Sequence, residues 1–302
     1  TPDQSKQLLW FFEPMLVPIW VRVFADWHSL YDCVDYWLGF PGQVKKLHTW
    51  LVMHATWMVV NSKALLEVTS HQREQVVQVP LGFASEEFSR SIKEIEHHAD
   101  SATRLKLRQL KFRSDQKIFG FIGQIGNRFD FPWLIQLMQA FPEHLFVFVG
   151  AIWAWKELDD SNLAAHIAEL QAQPNYIHLP PVSKDVIPMV VRQFDFGLIP
   201  YATSQVFNKN CHPMKLYEYW WFGKPVISTA IYELSRYTRD LSSDDDVRSI
   251  INWAKRKLNA GISAQSKQRM HELAQANSCI RCFDCAEIPA FKAANVYQPE
   301  SM

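Results

Sequence analysis

Short apolar runs alternate with helix-forming segments along most of this chain. Leu30–Val34, Trp57–Asn61, Lys117–Ile122 and Leu145–Val149 have the length and apolar content of buried strands. The segments between them, such as Gln43–Met53, carry apolar residues at helical spacing. Parallel strands joined by helical crossovers produce this alternation. The sequence therefore predicts an α/β fold with parallel sheets.

The charge pattern divides the chain into two such regions. Residues 86–115 are rich in charge and poor in long apolar runs, so we place a connector at 89–116. A first α/β domain is then expected at 1–88 and a second at 117–275. Residues 276–302 would form a C-terminal helix and tail.

Overall charge argues against one class of partner. Lys and Arg total 31, and so do Asp and Glu, which gives a formal net charge of zero. A protein that binds nucleic acid electrostatically needs a basic surface, so no nucleic-acid partner is expected.

The most apolar stretch is Leu8 to Phe24. Glu13, Pro14 and Arg22 interrupt it, and it is too short to be a typical membrane span. We predict a strand, a turn and a helix with an apolar face. That face can touch a membrane surface, although burial is the commoner fate of such a helix.

Five cysteines give a weak signal for location. Cys279, Cys282 and Cys285 have C-x2-C-x2-C spacing, but Pro289 stands where a ferredoxin-type run needs its fourth ligand. A buried, reduced stripe on a C-terminal helix is the better interpretation. Free thiols are typical of a reducing cytoplasm.

The segment Phe207 to Ser228 predicts a loop, a helix of about three turns and a strand. His212-Pro213 would open the helix, and Gly223 would close it. Lys215 and Glu218 are three residues apart and share one face near the helix N-terminus, where phosphate binds readily. This pattern suits a ligand with a pyrophosphate and a ribose diol, such as a nucleotide sugar. The alternative is an amphipathic helix with solvated charges.

Three glycines follow the strand at Lys117–Ile122 at spacing three. Gly120, Gly123 and Gly126 let backbone N–H groups approach a phosphate, but they do not form G-x-G-x-x-G. The next strand ends at Gly150, with no acid after it to bind a ribose. A nicotinamide dehydrogenase is therefore disfavoured.

Several segments resemble one known family. PMKLYEYWWFGKPVIS (213–228) resembles the donor-site signature of bacterial GT-B glycosyltransferases, the group that includes the family 4 enzymes. YDCVDYW (31–37) and VVNSKALLE (59–67) resemble parts of the acceptor domain of these enzymes. FGFIGQIGNRFD (119–130) and YIHLPPVSKDVIP (176–188) resemble parts of their donor domain. The resemblance implies a GT-B-like fold with two Rossmann-type, doubly wound domains.

The resemblance also assigns roles to individual residues. Glu218 would hold the donor ribose and Lys215 the diphosphate. Asn210 stands where many family 4 members carry a second glutamate. The residues expected to bind the donor are Gly123, Gly126, Val182, Asn210, His212, Pro213, Lys215 and Glu218.

Two further residues complete the expected catalytic set with Lys215. Arg128 would be a second phosphate clamp, or else a surface ion pair with Asp130. Asp35 would deprotonate the acceptor hydroxyl if transfer inverts the anomeric centre. If transfer retains configuration, Asp35 would position the acceptor or brace the cleft. Its other interpretation is a turn aspartate.

No metal and no cofactor are expected, because the nucleotide sugar itself is the substrate. Asp244-Asp245-Asp246 contains the D-x-D of other glycosyltransferases, but it directly precedes a helical pattern. Acidic residues in a first turn favour the helix dipole, so N-capping is the prediction.

The resemblance implies sugar transfer from a nucleotide-diphosphate sugar to a glycan or lipid-linked acceptor in surface polysaccharide synthesis. Such an enzyme is expected in the cytoplasm, in contact with the inner membrane. Family members carry more elements before a segment like LLWFFEP, so the first domain is expected to be incomplete here. A trimmed chain or a partner chain would account for that. The alternatives are a nucleotide-sugar epimerase and a non-catalytic nucleotide-binding subunit.

Overall fold

The computed structural model describes residues 7–24, 26–40, 42–90, 116–153 and 162–279. These residues divide into two compact units. The first comprises residues 7–82, 210–212 and Cys279, and the second comprises 83–209 and 213–278. Most of the expected connector and of the expected C-terminal tail lies outside the described residues.

The first unit contains a parallel sheet of four described strands. Its strands are β1 (Leu8–Phe11), β2 (His28–Cys33), β3 (Trp57–Val60) and β4 (Val77–Gln78). Their spatial order follows their order in the chain. The helices of this unit are α1 (Val17–Val23), α2 (Gln43–His54) and α3 (Lys63–Ser70).

All three helices contribute to one core on one face of this sheet. Trp20 of α1, Leu51 of α2 and Leu65 of α3 pack in a cluster with Tyr31 and Cys33 of β2. Helix α3 starts where the sequence predicts, because the Ser62 hydroxyl accepts a hydrogen bond from the Leu65 N–H at 3.2 Å.

The second unit contains a parallel sheet of six described strands. They are β5 (Ile118–Ile122), β6 (Leu145–Val149), β7 (Tyr176–Leu179), β8 (Phe196–Ile199), β9 (Val226–Ser228) and β10 (Leu241–Ser243). The order across the sheet is β10-β9-β8-β5-β6-β7. Strands β5, β6 and β7 therefore lie side by side in chain order. The chain then crosses back, so that β8 pairs with the opposite side of β5. A crevice forms where such connections diverge, at the carboxyl ends of β5 and β8.

The second unit also contains described α-helices, which lie before, between and after these strands. They are α4 (Ser85–Ser89), α5 (Phe131–Gln139), α6 (Leu163–Gln171), α7 (Ile187–Val191), α8 (Val206–Lys209), α9 (Lys215–Trp221), α10 (Val247–Ala260) and α11 (Ala264–Ala276). Helix α9 packs closely on the sheet at Gly197 of β8. A Cβ added there would lie 2.2 Å from the Tyr219 ring, so only glycine admits this contact.

The signature helix is shorter than the sequence predicts. Helix α9 has seven residues, and it begins two residues after Pro213 rather than at it. The turn at Pro213 is tighter than an α-helix, because the Leu216 N–H bonds to the Pro213 carbonyl. The expected end is confirmed, since Gly223 follows the helix with φ +63°.

Two regular elements are harder to read from the sequence. Strand β10 has three residues, and α11 carries few apolar side chains, so neither gives a clear periodic pattern. Among the described helices, none combines the length and hydropathy that a membrane span requires. Cys279 is exposed rather than buried, and Cys282 and Cys285 lie outside the described residues.

Candidate functional site

The carboxyl edge of the second sheet gathers charged side chains at the point where strand order reverses. Gly123 directly follows β5, and Tyr201 follows β8 by two residues. Helix α9 presents Lys215 and Glu218 to the same region, as the contacts below show. The fold thus brings four predicted site residues together: Gly123, Arg128, Lys215 and Glu218.

Gly123 and Lys215 are in close contact. Gly123 has φ +138°, and a Cβ there would lie 2.9 Å from Cε and 3.0 Å from Nζ of Lys215. The Lys215 ammonium also lies 5.5 Å from the centre of the Phe121 ring. The absence of a side chain at Gly123 therefore makes room for the lysine over the end of β5.

The charge on Lys215 is supported by its neighbours. Burial lowers the pKa of Lys215, and the nearby charge of Arg128 lowers it further. Interactions with Tyr201 and Glu218 raise this pKa by more, so the net shift is upward. Lys215 thus stays a cation while half-buried. A half-buried cation at a glycine loop is a suitable group for binding phosphate.

Glu218 lies one turn along the same helix and is also half-buried. Burial raises the pKa of Glu218, the cation of Lys215 lowers it, and the carboxylate of Glu87 raises it. The net shift of this pKa is upward. A carboxylate in this position can accept hydrogen bonds from two adjacent hydroxyl groups, as a ribose diol requires.

Arg128 is held by polar and aromatic contacts. Its Nε donates to Oδ1 of Asn208 at 2.8 Å, and its guanidinium lies 4.2 Å from the Tyr201 ring centre and 4.9 Å from that of Phe207. Asp130, its alternative partner, caps helix α5 by accepting from the Trp133 N–H at 3.1 Å. Arg128 is near enough to Lys215 to oppose its protonation, so two positive charges share this edge.

Tyr201 and Asn208 belong to the site although sequence reasoning did not select them. Asn208 is fully buried, and its amide nitrogen donates to the carbonyls of Arg128 and Ala202. Tyr201 interacts with both Arg128 and Lys215. The sequence could have indicated Tyr201, because this residue follows a predicted strand at the carboxyl edge of the sheet. No sequence pattern indicated Asn208, which lies in a short helix.

The remaining predicted donor residues are placed as follows. Gly126 is buried and closes a turn in which its carbonyl accepts from the Phe129 N–H, which positions Arg128. Val182 follows β7, which β6 separates from β5. Pro213 is buried just before α9, whereas Asn210 and His212 group with the first unit.

His212 has a defined partner in that first unit. Its Nδ1 lies 2.9 Å from the backbone carbonyl of Asn61, which follows β3. The Asn61 side chain in turn donates to the Val34 carbonyl at 2.5 Å. His212 is buried, so this bond fixes the ring.

Asp35 and Asp32 differ in their surroundings within the first unit. Asp35 lies in the loop after β2, where its carbonyl accepts from the Trp37 N–H and the Cys33 thiol. Asp32 lies in β2, and its carboxylate accepts from the Trp10 indole at 3.2 Å. Burial raises the pKa of Asp32 to about 6, against this hydrogen bond.

The three consecutive aspartates have different partners, and only Asp246 caps α10. Asp246 accepts from the Arg248 N–H, and Asp245 accepts from the Ala230 N–H and the Thr203 hydroxyl. The predicted N-capping is thus confirmed for Asp246, whereas the partners of Asp245 lie outside the helix. Within the described ranges, no group of three or more His, Cys, Asp or Glu side chains is arranged to hold a metal ion.

Solved structures share this architecture over nearly the whole chain. HepE (Alr3699) from Anabaena, solved with UDP-glucose, matches with a TM-score of 0.71 and 15% identity, over 96% of this chain and 78% of that one. The chain has the GT-B fold. A second GT-B match is sucrose-phosphate synthase from Thermosynechococcus elongatus, with a TM-score of 0.70 and 13% identity, over 96% of this chain and 72% of that one.

The sequence of this GT-B protein also has a curated relative. It is 24% identical over 233 residues to a Bacillus subtilis (strain 168) protein provisionally named as the teichuronic acid biosynthesis glycosyltransferase TuaH. The match covers 76% of this chain, and the chain spans 56% of the length of that relative. No protein-family model matches the sequence.

Proposed function

We propose that this protein is a glycosyltransferase that moves a sugar from a nucleotide-diphosphate sugar to a glycan or lipid-linked acceptor. The observation that carries the proposal is the group of Gly123, Arg128, Lys215 and Glu218 at the switch point of the second sheet. Two cations and a carboxylate match the diphosphate and ribose of such a donor. The TuaH relationship and the UDP-glucose complex of HepE support the same reaction class.

The cations would act on the leaving group. As the acceptor hydroxyl attacks the anomeric carbon, the bond from that carbon to the diphosphate breaks, and the nucleoside diphosphate leaves with the bonding electrons. Lys215 contacts Gly123, and Arg128 is hydrogen-bonded to Asn208, so in this proposal both cations would stabilise the growing charge with little reorganisation. Gly123, Gly126 and Pro213 would shape the diphosphate loop, and Val182 would lie by the nucleobase.

Asp35 is our proposed group for the acceptor side. In an inverting enzyme its carboxylate would take the proton of the attacking hydroxyl. In a retaining enzyme it would position the acceptor. The anomeric configuration of the purified product, read by NMR coupling constants, decides between these roles. Asn210 and His212 are proposed to contact the donor from the loop before Pro213.

Surface polysaccharide synthesis at the inner membrane is the proposed setting, which would place the protein in the cytoplasm. The segment from Phe12 to Val23 supports membrane contact, because Phe12, Ile19 and Val23 are 50%, 58% and 63% exposed. Ile19→Glu should reduce binding to phosphatidylglycerol vesicles, measured by sedimentation. Equal binding by the variant would contradict membrane contact through this face.

A nucleotide-binding assay tests the donor site itself. We would titrate UDP, GDP, dTDP and ADP by calorimetry, and expect one diphosphate to bind. Glu218→Ala should weaken that nucleotide about tenfold, since it removes hydrogen bonds between a charged group and the ribose. Glu169→Ala, an exposed glutamate on α6, is the matched control. Binding unaffected by Glu218→Ala would remove Glu218 from the site.

An activity assay then tests the reaction class. A transferase should release nucleoside diphosphate in proportion to added acceptor. An altered sugar on the nucleotide in the absence of acceptor would indicate epimerisation and would overturn the proposal.

A further inference from the structure

A basic cavity lies at the opposite, amino edge of the second sheet. Its volume is about 270 Å³. The described residues that line it include four lysines and one aspartate: Lys117, Lys224, Lys257, Lys267 and Asp195.

Three of these side chains come from the starts of neighbouring strands. Lys117 directly precedes β5, Asp195 directly precedes β8, and Lys224 precedes β9 by two residues. Gly123 lies at the other end of β5, and a five-residue strand is roughly 16 Å long. The cavity is therefore separate from the proposed donor site.

The aspartate does not neutralise the lysines. Its Oδ2 accepts from the Ile118 N–H at 2.9 Å, and its Oδ1 lies 3.7 Å from Nζ of Lys117. Lys224 donates to the Arg192 carbonyl at 3.0 Å. Burial lowers the pKa of Lys224, Asp195 raises it, and repulsion from Lys267 and Arg192 lowers it further, with a net downward shift.

Helix termini explain only part of this arrangement. Lys257 lies in the last turn of α10, where a cation suits the helix dipole, and it is 3.7 Å from Asp240. Lys267 lies in the first turn of α11, where the dipole disfavours a cation. Lys117 lies at the end of none of the helices that the structure describes. A cation excess around a cavity, in a chain of zero net charge, creates a local positive potential that attracts anions.

We propose that this cavity binds a phosphate group, from a soluble phosphate ester or from the headgroup of an anionic lipid. The bound anion would lie between Lys117, Lys224 and Lys267 and relieve the repulsion between Lys224 and Lys267. A volume near 270 Å³ accommodates a phosphate with a small substituent. The site does not depend on glycosyl transfer.

Calorimetry with inorganic phosphate and glucose 6-phosphate tests the site. The test variant is Lys117→Gln with Lys267→Gln, because both lysines are exposed and their loss should leave the fold intact. Lys255→Gln with Arg256→Gln, two exposed cations of α10 that do not line the cavity, is a control of equal charge change. We expect saturable binding that weakens about tenfold in the test variant and is unchanged in the control.

Two further measurements exclude the proposed donor site as the place of binding and distinguish a soluble phosphate ester from a lipid headgroup. Lys215→Ala should bind phosphate at this cavity as the wild type does. Vesicles of phosphatidylglycerol, compared with phosphatidylcholine, should bind with the same dependence on Lys117 and Lys267 if the source is a lipid. Absence of saturable binding to all phosphate probes, or equal binding by test and control variants, would overturn the proposal. Neither result would affect the nucleotide-binding assay of the proposed function.

Discussion

The two sheets are both built from parallel strands joined by helices, but they differ in strand order and in the side chains that lie at their carboxyl edges. In the first sheet the strands follow chain order, and α1, α2 and α3 contribute to one core on one face. In the second sheet the order reverses between β5 and β8, and Lys215, Arg128 and Tyr201 gather there. A reversal of strand order opens a crevice, and loops of distant sequence meet in it.

The largest expected effect on turnover is at the carboxyl edge of the second sheet. Lys215→Ala should lower turnover by about 10²–10³-fold, because it removes a fixed charge from the leaving group. Steady-state kinetics with the donor identified by calorimetry measures this loss. Lys255→Ala, an exposed lysine of α10, serves as the control and should retain full activity. Full activity of Lys215→Ala would contradict the proposed site.

A somewhat smaller effect on turnover is expected at the carboxyl edge of the first sheet, where Asp35 follows β2. Asp35→Asn should lower turnover by about 10²-fold if Asp35 is the base, with the donor dissociation constant unchanged. A loss below about tenfold would favour a positioning role. The comparison with Asp32→Asn is informative, because Asp32 contacts the Trp10 indole within the sheet. If Asp32→Asn alone lost turnover, Asp35 would have no catalytic role.

A pair of glycine variants separates backbone strain from contact with the lysine. Gly123 and Gly42 have φ +138° and +70°, but only Gly123 has a close neighbour, Lys215; a Cβ at Gly42 meets nothing within 4 Å. Each Ala variant should lose about 1–3 kcal/mol of stability. Only Gly123→Ala should also weaken nucleotide binding, by about tenfold, because it displaces Lys215. Calorimetry and thermal unfolding measure the two effects; equal nucleotide affinity in both variants would show that Gly123 does not position the lysine.

The smallest effect is a pH dependence of stability in the first unit. Burial raises the pKa of Asp32 to about 6, so the folded state holds a proton that the unfolded state releases between roughly pH 4 and 6. Stability should therefore fall as pH rises through that window. Asp32→Asn lacks this loss, so its melting temperature should exceed that of the wild type by a margin that grows from pH 5 to 7.

The exposed Asp26 provides the control for this measurement. Asp26→Asn should show no such pH-dependent margin. A margin for Asp32→Asn that stays constant between pH 5 and 7 would mean that Asp32 keeps an ordinary pKa in the folded protein.

Much of the fold was readable from local pattern. The strand at Leu145–Val149 and the Ser62 cap of α3 are where the sequence predicts them, because apolar runs and capping chemistry act over a few residues. The short α9 was not, because Pro213 begins a tighter turn whose bonds depend on the packing of the helix. Strand β10 has only three residues, so its pairing with β9 defines it more than its sequence does.

The sequence by itself determined the parallel α/β architecture, since that depends on the alternation of strand and helix segments along the chain. It also determined the pairing of Lys215 with Glu218, since that depends on spacing along one helix. Only the tertiary structure decided that Gly123 makes room for Lys215 and that Arg128 stacks on Tyr201. It also decided that Lys117, Lys224 and Lys267 share one cavity. These residues are far apart in the chain, and the strand order of the sheet, which no local pattern encodes, brings them together.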